Sequence, residues 1–245
     1  MSKPEITERR KPVASHGGHP CGACPVRNLS VCSALNDDEL AVLEEIVSNR
    51  DIPAHQMIFQ EGDDAGDLFN VLEGVVTLYK LMPDGRRQIT GFLFNGDFMG
   101  LSVNGKFAYS AESVTPVTMC RFPRRRLDGL MERFPHLQRR MMGLASNELA
   151  AAQDQMLLLG RKSAKEKIAS FLLTLSRRAA QREQPDDPVF LPMSRADIGD
   201  FLGLTTETVS RTFTHLKSSG VIRLLEGHRV HLADREALTD IAEGL

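Results

Sequence analysis

The sequence predicts an α+β chain in two parts, an antiparallel β-roll and a winged helix-turn-helix, with one long amphipathic helix between them. Three observations predict it. From about Ile52 to Phe122, short apolar or alternating runs are separated by turns at Glu61-Gly62-Asp63, Glu73-Gly74, Pro83-Asp84-Gly85, Asn95-Gly96-Asp97 and Asn104-Gly105. Strands that reverse at a glycine each time make an antiparallel roll or barrel. From Leu137 to Leu159, apolar residues recur at alternating spacings of three and four, the heptad pattern of a helix with one apolar seam. Between residues 193 and 232 a short helix, a glycine turn and a second helix precede a hairpin, which is the layout of a winged helix-turn-helix.

Length and composition bound the rest. A chain of 245 residues, 42% of them hydrophobic, can bury one large or two modest cores. It has no apolar run long enough to span a bilayer, and its start lacks an apolar signal core, so a cytoplasmic protein with no membrane partner is expected. A net charge of −2 advertises no polyanion partner, so any nucleic-acid surface must be local. In a reducing compartment the four cysteines suit metal binding or thiol chemistry better than structural disulfides.

Residues 1–20 carry Pro4, Pro12, Pro20 and Gly17-Gly18 without any period, and are expected to form a disordered arm. Three of the four cysteines follow within twelve residues, Cys21, Cys24 and Cys32; the fourth, Cys120, lies far downstream in an alternating strand. Asn36-Asp-Asp-Glu39 has the form of a capping box opening a short helix with Leu40, Leu43, Ile46 and Val47 on one face. The cysteine loop and roll are assigned residues 21–136, the long helix 137–160 and the winged-helix domain 161–245.

The seam of the long helix is Met142, Ala145, Leu149, Ala152, Met156 and Leu159. A heptad seam suits two copies of the helix packing together, that is, a homodimer. The alternative is a helix packed on its own roll. Two alanines bury little area, so a dimer held here is marginal and easily switched. A second helix is expected over Ala164 to Gln181, with Ile168, Phe171, Leu172 and Leu175 inward.

In the helix-turn-helix, Ser194 is the expected cap of the first helix, Gly203 supplies the turn and Thr205 caps the second helix, Thr206 to Ser218. Val209, Phe213 and Leu216 face inward; Glu207, Ser210, Arg211, Thr214 and Lys217 face outward. Outward polar residues in the first turns of such a helix are placed for the major groove of double-stranded DNA. Arg211 can pair bidentately with a guanine edge, Glu207 can accept from a cytosine amino group, and Ser210 stands beside them. Arg195, Thr205, Thr206, Lys217, Arg223 and Arg229 are candidate phosphate contacts, which fix register without reading sequence. A winged helix used only for protein contact is the alternative.

The roll, the long helix and the C-terminal winged helix together resemble the Crp/Fnr family of bacterial transcription regulators, over nearly the whole chain after residue 20. Glu207-Thr-Val-Ser-Arg211, Gln153-Asp-Gln-Met-Leu-Leu-Leu-Gly-Arg-Lys162 and Phe171-Leu-Leu-Thr-Leu-Ser-Arg-Arg178 resemble its Fnr branch. The resemblance implies that the roll is of the cyclic-nucleotide-binding type. It implies that Glu207, Ser210 and Arg211 read a TTGAT half-site of a promoter palindrome, and that Cys21, Cys24, Cys32 and Cys120 ligate an oxygen-labile [4Fe–4S] cluster. With little oxygen, the intact cluster would hold a dimer that binds DNA and contacts RNA polymerase; in oxygen the dimer would part. The cysteine spacing, two residues then seven, departs from the two then five of the enteric archetype and resembles the FnrN/FnrL-like members. The polymerase-contacting hairpin of the family matches Leu81 to Arg87, where the acidic archetype is replaced by Asp84, Arg86 and Arg87.

On spacing alone, four thiolates suit a cubane cluster or zinc, and His16 or His19 could replace Cys120 at a zinc. A zinc-stabilised constitutive regulator and, more weakly, a thiol-disulfide protein using Cys21-Gly-Ala-Cys24 are therefore the alternative functions. Cys120 could also be a buried, inert cysteine. Cyclic AMP is not expected. The family's cAMP cassette resembles Gly-Glu…Arg-Ser or Arg-Thr, whereas here Asp97 follows Gly96 and Tyr109 precedes Ser110, leaving a cyclic phosphate without its arginine. Pro25 has no backbone N–H, so it cannot donate to a cluster sulfur.

Overall fold

The computed structural model describes residues 21–102 and 104–245. The N-terminal arm, with His16 and His19, lies outside them. The chain forms two compact units, one of residues up to 80 with 91–149 and the other of 81–90 with 150–245.

In the first unit a single 3-10 turn, Val31–Ala34, precedes helix α1, Asp37–Glu44. The capping box at its start is complete: Asn36 accepts from the Glu39 N–H and Glu39 accepts from the Asn36 N–H. Strands follow at β1 Ser48–Ile52, β2 Met57–Phe59, β3 Asp67–Glu73, β4 Val76–Leu81, β5 Arg87–Leu93, β6 Phe98–Met99, β7 Ser110–Ser113 and β8 Val117–Pro123. They form two four-stranded sheets, ordered β1-β8-β3-β6 and β2-β7-β4-β5. The described pairs are antiparallel, and the sheets share a core of Phe59, Phe69, Val71, Val76, Met99, Phe107 and Met119. Within it the rings of Phe59 and Phe107 stack with centroids 3.8 Å apart.

Two elements of this unit depart from the expectation. The run from Ala111 to Phe122 is not one strand; it breaks at Pro116, which has no N–H for a ladder, and its halves enter different sheets. Helix α2, Arg124–Arg133, was not foreseen, because it has four arginines and no side-chain cap at Pro123. Leu127 and Leu130, three apart, are its buried residues, and Met131 packs partly buried against the same core. Helix α3, Pro135–Arg161, follows, and its only buried residues are Leu137 and Met141.

In the second unit helix α4, Ala164–Gln181, is capped by a Ser163/Glu166 box and buries Ile168, Phe171, Leu172 and Leu175 as foreseen. After β9, Val189–Phe190, come helices α5, Arg195–Leu202, and α6, Thr206–Ser218, with caps Ser194 and Thr205 and Gly203 left-handed between them. Strands β10, Arg223–Leu225, and β11, Arg229–His231, make the wing in a sheet ordered β10-β11-β9. Helix α7, Arg235–Glu243, capped by Asp234, packs on α4. The hairpin tip 81–90 belongs to this unit: Arg87 pairs with Asp197 and Asp200, and Gln88 donates to the Asp200 carbonyl at 2.6 Å. That engagement of α5 was not legible in the sequence.

Candidate metal centre and nucleic-acid interface

Three of the four cysteines share one apolar core, built from the N-terminal segment, the roll and helix α2. Val31, Leu35, Leu40 and Leu43 from the N-terminal segment pack with Leu68, Phe98, Phe122, Leu127 and Leu130, and Cys21, Cys32 and Cys120 pack against this same cluster. Strand register places Cys120 directly opposite Asn49 of β1 and Asn70 of β3. Its thiol donates to Asn49 Oδ1 at 3.6 Å. Asn70 is 2% exposed, and its Oδ1 has no hydrogen-bond partner among the described residues.

Turns fix the loop itself. The Cys24 N–H donates to the Cys21 carbonyl, the Arg27 N–H to the Cys24 carbonyl, and the Cys32 N–H to Ser30 Oγ. The segment sits on the Asn95-Gly96-Asp97 turn, where Gly96 lies at φ +90° and a Cβ would stand 2.6 Å from that of Leu29. Close seating of the loop therefore depends on a bare backbone at 96.

Burial and mutual repulsion act on three of the thiols. Burial is the first cause pushing the Cys120 thiol up, followed by the charges of Cys32, Cys21 and Cys24. Burial, then Glu44, Cys32 and Cys24, pushes Cys21 up to about 12. Burial also raises Cys32 against a favourable Ser30 hydrogen bond. All four are free thiols, each half-buried. Thiolates this buried need a cation to compensate them. The donor set thus fits a cationic centre with soft ligands. Among the described residues, no three His, Cys, Asp or Glu side chains are close enough to hold one metal ion.

The helix-turn-helix presents its foreseen face outward. Glu207, Ser210 and Arg211 are exposed on α6, while Val209, Phe213 and Leu216 are buried beneath it. Glu207 and Arg211 pair at 3.7 Å with side chains 77% and 72% exposed. A solvent-exposed pair of this kind contributes little, so either residue is free to turn to a base edge. Thr205, Thr206, Lys217, Arg223 and Arg229 are also exposed. Arg195 is different: its guanidinium lies 3.4 Å above the centre of the Phe213 ring, and burial lowers its pKa. On α3, Met142, Leu149 and Met156 are 64%, 61% and 69% exposed, so their own chain leaves these three seam positions uncovered, while Ala145 and Leu159 are partly covered.

An antiparallel roll, a long helix and a winged helix-turn-helix with a polar reading face define a transcription regulator rather than an enzyme. Comparison with known proteins gives the family. A cyclic nucleotide-binding domain matches residues 49–134, and a Crp-like helix-turn-helix domain matches residues 166–241. The nitrogen fixation regulation protein FixK of Bradyrhizobium diazoefficiens is 46% identical over 86% of this chain and 89% of its own length. The transcriptional activator protein FnrL of Cereibacter sphaeroides is 42% identical over 86% of each chain. The solved structure of FixK2 from Bradyrhizobium japonicum superposes with a TM-score of 0.75 at 34% identity, covering 80% of this chain and 97% of its own. The chain belongs to the Crp/Fnr family of DNA-binding transcription regulators.

Proposed function

We propose that this protein is an oxygen-responsive transcription regulator, with Cys21, Cys24, Cys32 and Cys120 as the ligands of a [4Fe–4S] cluster. One observation carries the reading. Cys21, Cys32 and Cys120, up to 99 positions apart in sequence, pack on one apolar shelf, and Cys24 stands in the same turn-fixed loop, its N–H donating to the Cys21 carbonyl. When bound, a cluster supplies an oxygen-reactive centre whose integrity depends on its thiolate ligands. The chain's part is to hold the ligands. Val31, Leu35 and Leu43 anchor the loop, β1 and β3 bracket Cys120, and the apolar shelf limits water.

Output runs through the exposed elements. The seam Met142, Ala145, Leu149, Ala152, Met156 and Leu159 pairs two copies, and the dimer presents two α6 helices to a TTGAT-type palindrome with half-sites about 10 bp apart. Glu207, Ser210 and Arg211 read bases. Thr205, Thr206, Lys217, Arg223 and Arg229 hold phosphates, and Arg195 does so once turned from Phe213. RNA polymerase is the expected partner of the DNA-bound dimer in the cytoplasm. The reading assigns no cyclic nucleotide to the roll, whose interior holds the stacked Phe59 and Phe107 rings with Phe69 and Tyr109 against them.

The test is purification without oxygen, with iron, sulfide and visible absorbance measured before and after air is admitted. A brown protein that bleaches, and a colourless Cys120→Ser variant, support the reading. A colourless protein carrying zinc overturns it in favour of a constitutive scaffold. A colourless, metal-free protein with disulfide reductase activity overturns it in favour of a thiol enzyme.

A further inference from the structure

We propose that Arg140 is the positioning residue through which the cysteine loop sets the dimer seam of α3; the inference rests on the cluster reading above. Arg140 Nη2 donates to the Leu29 carbonyl at 2.8 Å and its Nε to the Ser30 carbonyl at 3.3 Å. These two carbonyls immediately precede the 3-10 turn that carries Cys32. Ser30 is 1% exposed, accepts the Cys32 N–H at 3.2 Å and donates to the Arg27 carbonyl at 3.2 Å. A displacement of Cys32 therefore moves Ser30, and Arg140 grips Ser30.

On the helix the grip has two points. One turn before Arg140, His136 Nε2 lies 2.9 Å from Glu39 Oε2, the carboxylate that also completes the α1 capping box. Residues four apart share a helix face, so His136 and Arg140 together hold that face of α3 against the N-terminal segment. Between them Leu137 is fully buried, and Met141 beside Arg140 is 6% exposed, which makes the contact a packed one. Packed interfaces pass on small displacements instead of absorbing them. Two residues beyond Arg140 the seam begins with Met142, roughly 200° around the helix, 64% exposed and facing away from the loop. One side of the same two turns senses the loop and the other meets a partner copy. A guanidinium suits the task because its rigid planar fork holds two carbonyls in one geometry, whereas a lysine ammonium is a point donor on a flexible stem.

The experiment compares wild type, Arg140→Gln and Arg140→Lys as full-length proteins purified anaerobically. Visible absorbance and thermal midpoint are recorded, and the dimer dissociation constant is measured by sedimentation before and after air. In the wild type, air should weaken the dimer by about tenfold or more, within the usual range of coupling between sites. Arg140→Gln should keep the anaerobic absorbance, while its dimer constant changes less than about threefold with air. Arg140→Lys, which keeps the charge and a donor nitrogen but not the planar fork, should fall between them, and it answers the question should the glutamine variant not fold. A merely structural role would lower the thermal midpoint and leave the air response intact, which overturns the proposal. Loss of the anaerobic colour in both variants also overturns it, because Arg140 would then hold the cluster instead of reporting it. A wild type that is itself colourless and indifferent to air removes the cluster reading and this proposal together, and the wild-type control separates that case from the others.

Discussion

Leu149→Ala tests the dimer seam where its cost can be worked out. Leu149 is 61% exposed in the single chain, so that fraction of its side chain is available to a partner. Truncation to alanine removes three carbons, about 2.4 kcal/mol at full burial. Scaled by the exposed 61%, roughly 1.5 kcal/mol is lost per protomer. A two-fold interface counts the residue twice, giving about 3 kcal/mol, or on the order of 100-fold in Kd. Sedimentation equilibrium of the anaerobic protein over a wide concentration range measures this directly. Leu225→Ala is the control, since Leu225 is 46% exposed on the wing and off the seam. A Leu149→Ala protein that dimerises within about threefold of wild type would refute the seam, as would equal weakening by Leu225→Ala. The meaning would then be that α3 rests on something other than its twin.

Other expectations concern the loop and the reading head. Pro25→Ser restores a backbone N–H beside Cys24, so the rate of absorbance loss in air should change while DNA sequence preference stays the same; superimposable decay traces would remove the idea. Gly96→Ala forces a Cβ to 2.6 Å from that of Leu29 at a positive φ; a cost of about 1–3 kcal/mol is expected, seen as a lower thermal midpoint and faster cluster loss. Arg211→Ala should cost about 1–3 kcal/mol on a TTGAT duplex and relax discrimination at one base position. Lys217→Ala should instead weaken all duplexes alike and reduce the salt dependence, since it removes a phosphate contact. Titration of matched and mismatched duplexes at two salt concentrations separates the last two.

What the sequence made legible follows local rules. Asn36, Ser194 and Thr205 cap their helices with their own side chains, and glycine turns separate the strands of the roll, so those elements could be read residue by residue. What escaped depends on tertiary pairing. Ser48-Asn-Arg-Asp-Ile52 has no apolar alternation and is a strand because β8 pairs with it, which is also how Asn49 reaches Cys120. Helix α2 buries two leucines amid arginines, too thin a stripe to register as a period. Among the functional side chains, the cysteines and the outer face of α6 were visible as residue types at a spacing. The roles of Arg140, Asn70 and Arg87 were not. Each is defined by a neighbour 50 or more positions away (Asn70 opposite Cys120 is the shortest separation) that only the fold supplies. Arg195 shows the same limit in reverse, because an arginine that reads as a phosphate contact is stacked on Phe213.

The most direct single measurement is the affinity for a palindromic TTGAT duplex, taken by anisotropy on one anaerobic sample while its visible spectrum is followed as air is admitted. If Cys21, Cys24, Cys32 and Cys120 hold the sensing centre, affinity and colour fall together, and a Cys120→Ser protein starts with neither. Tight DNA binding that persists after the colour has gone, or that Cys120→Ser retains in full, would contradict the account.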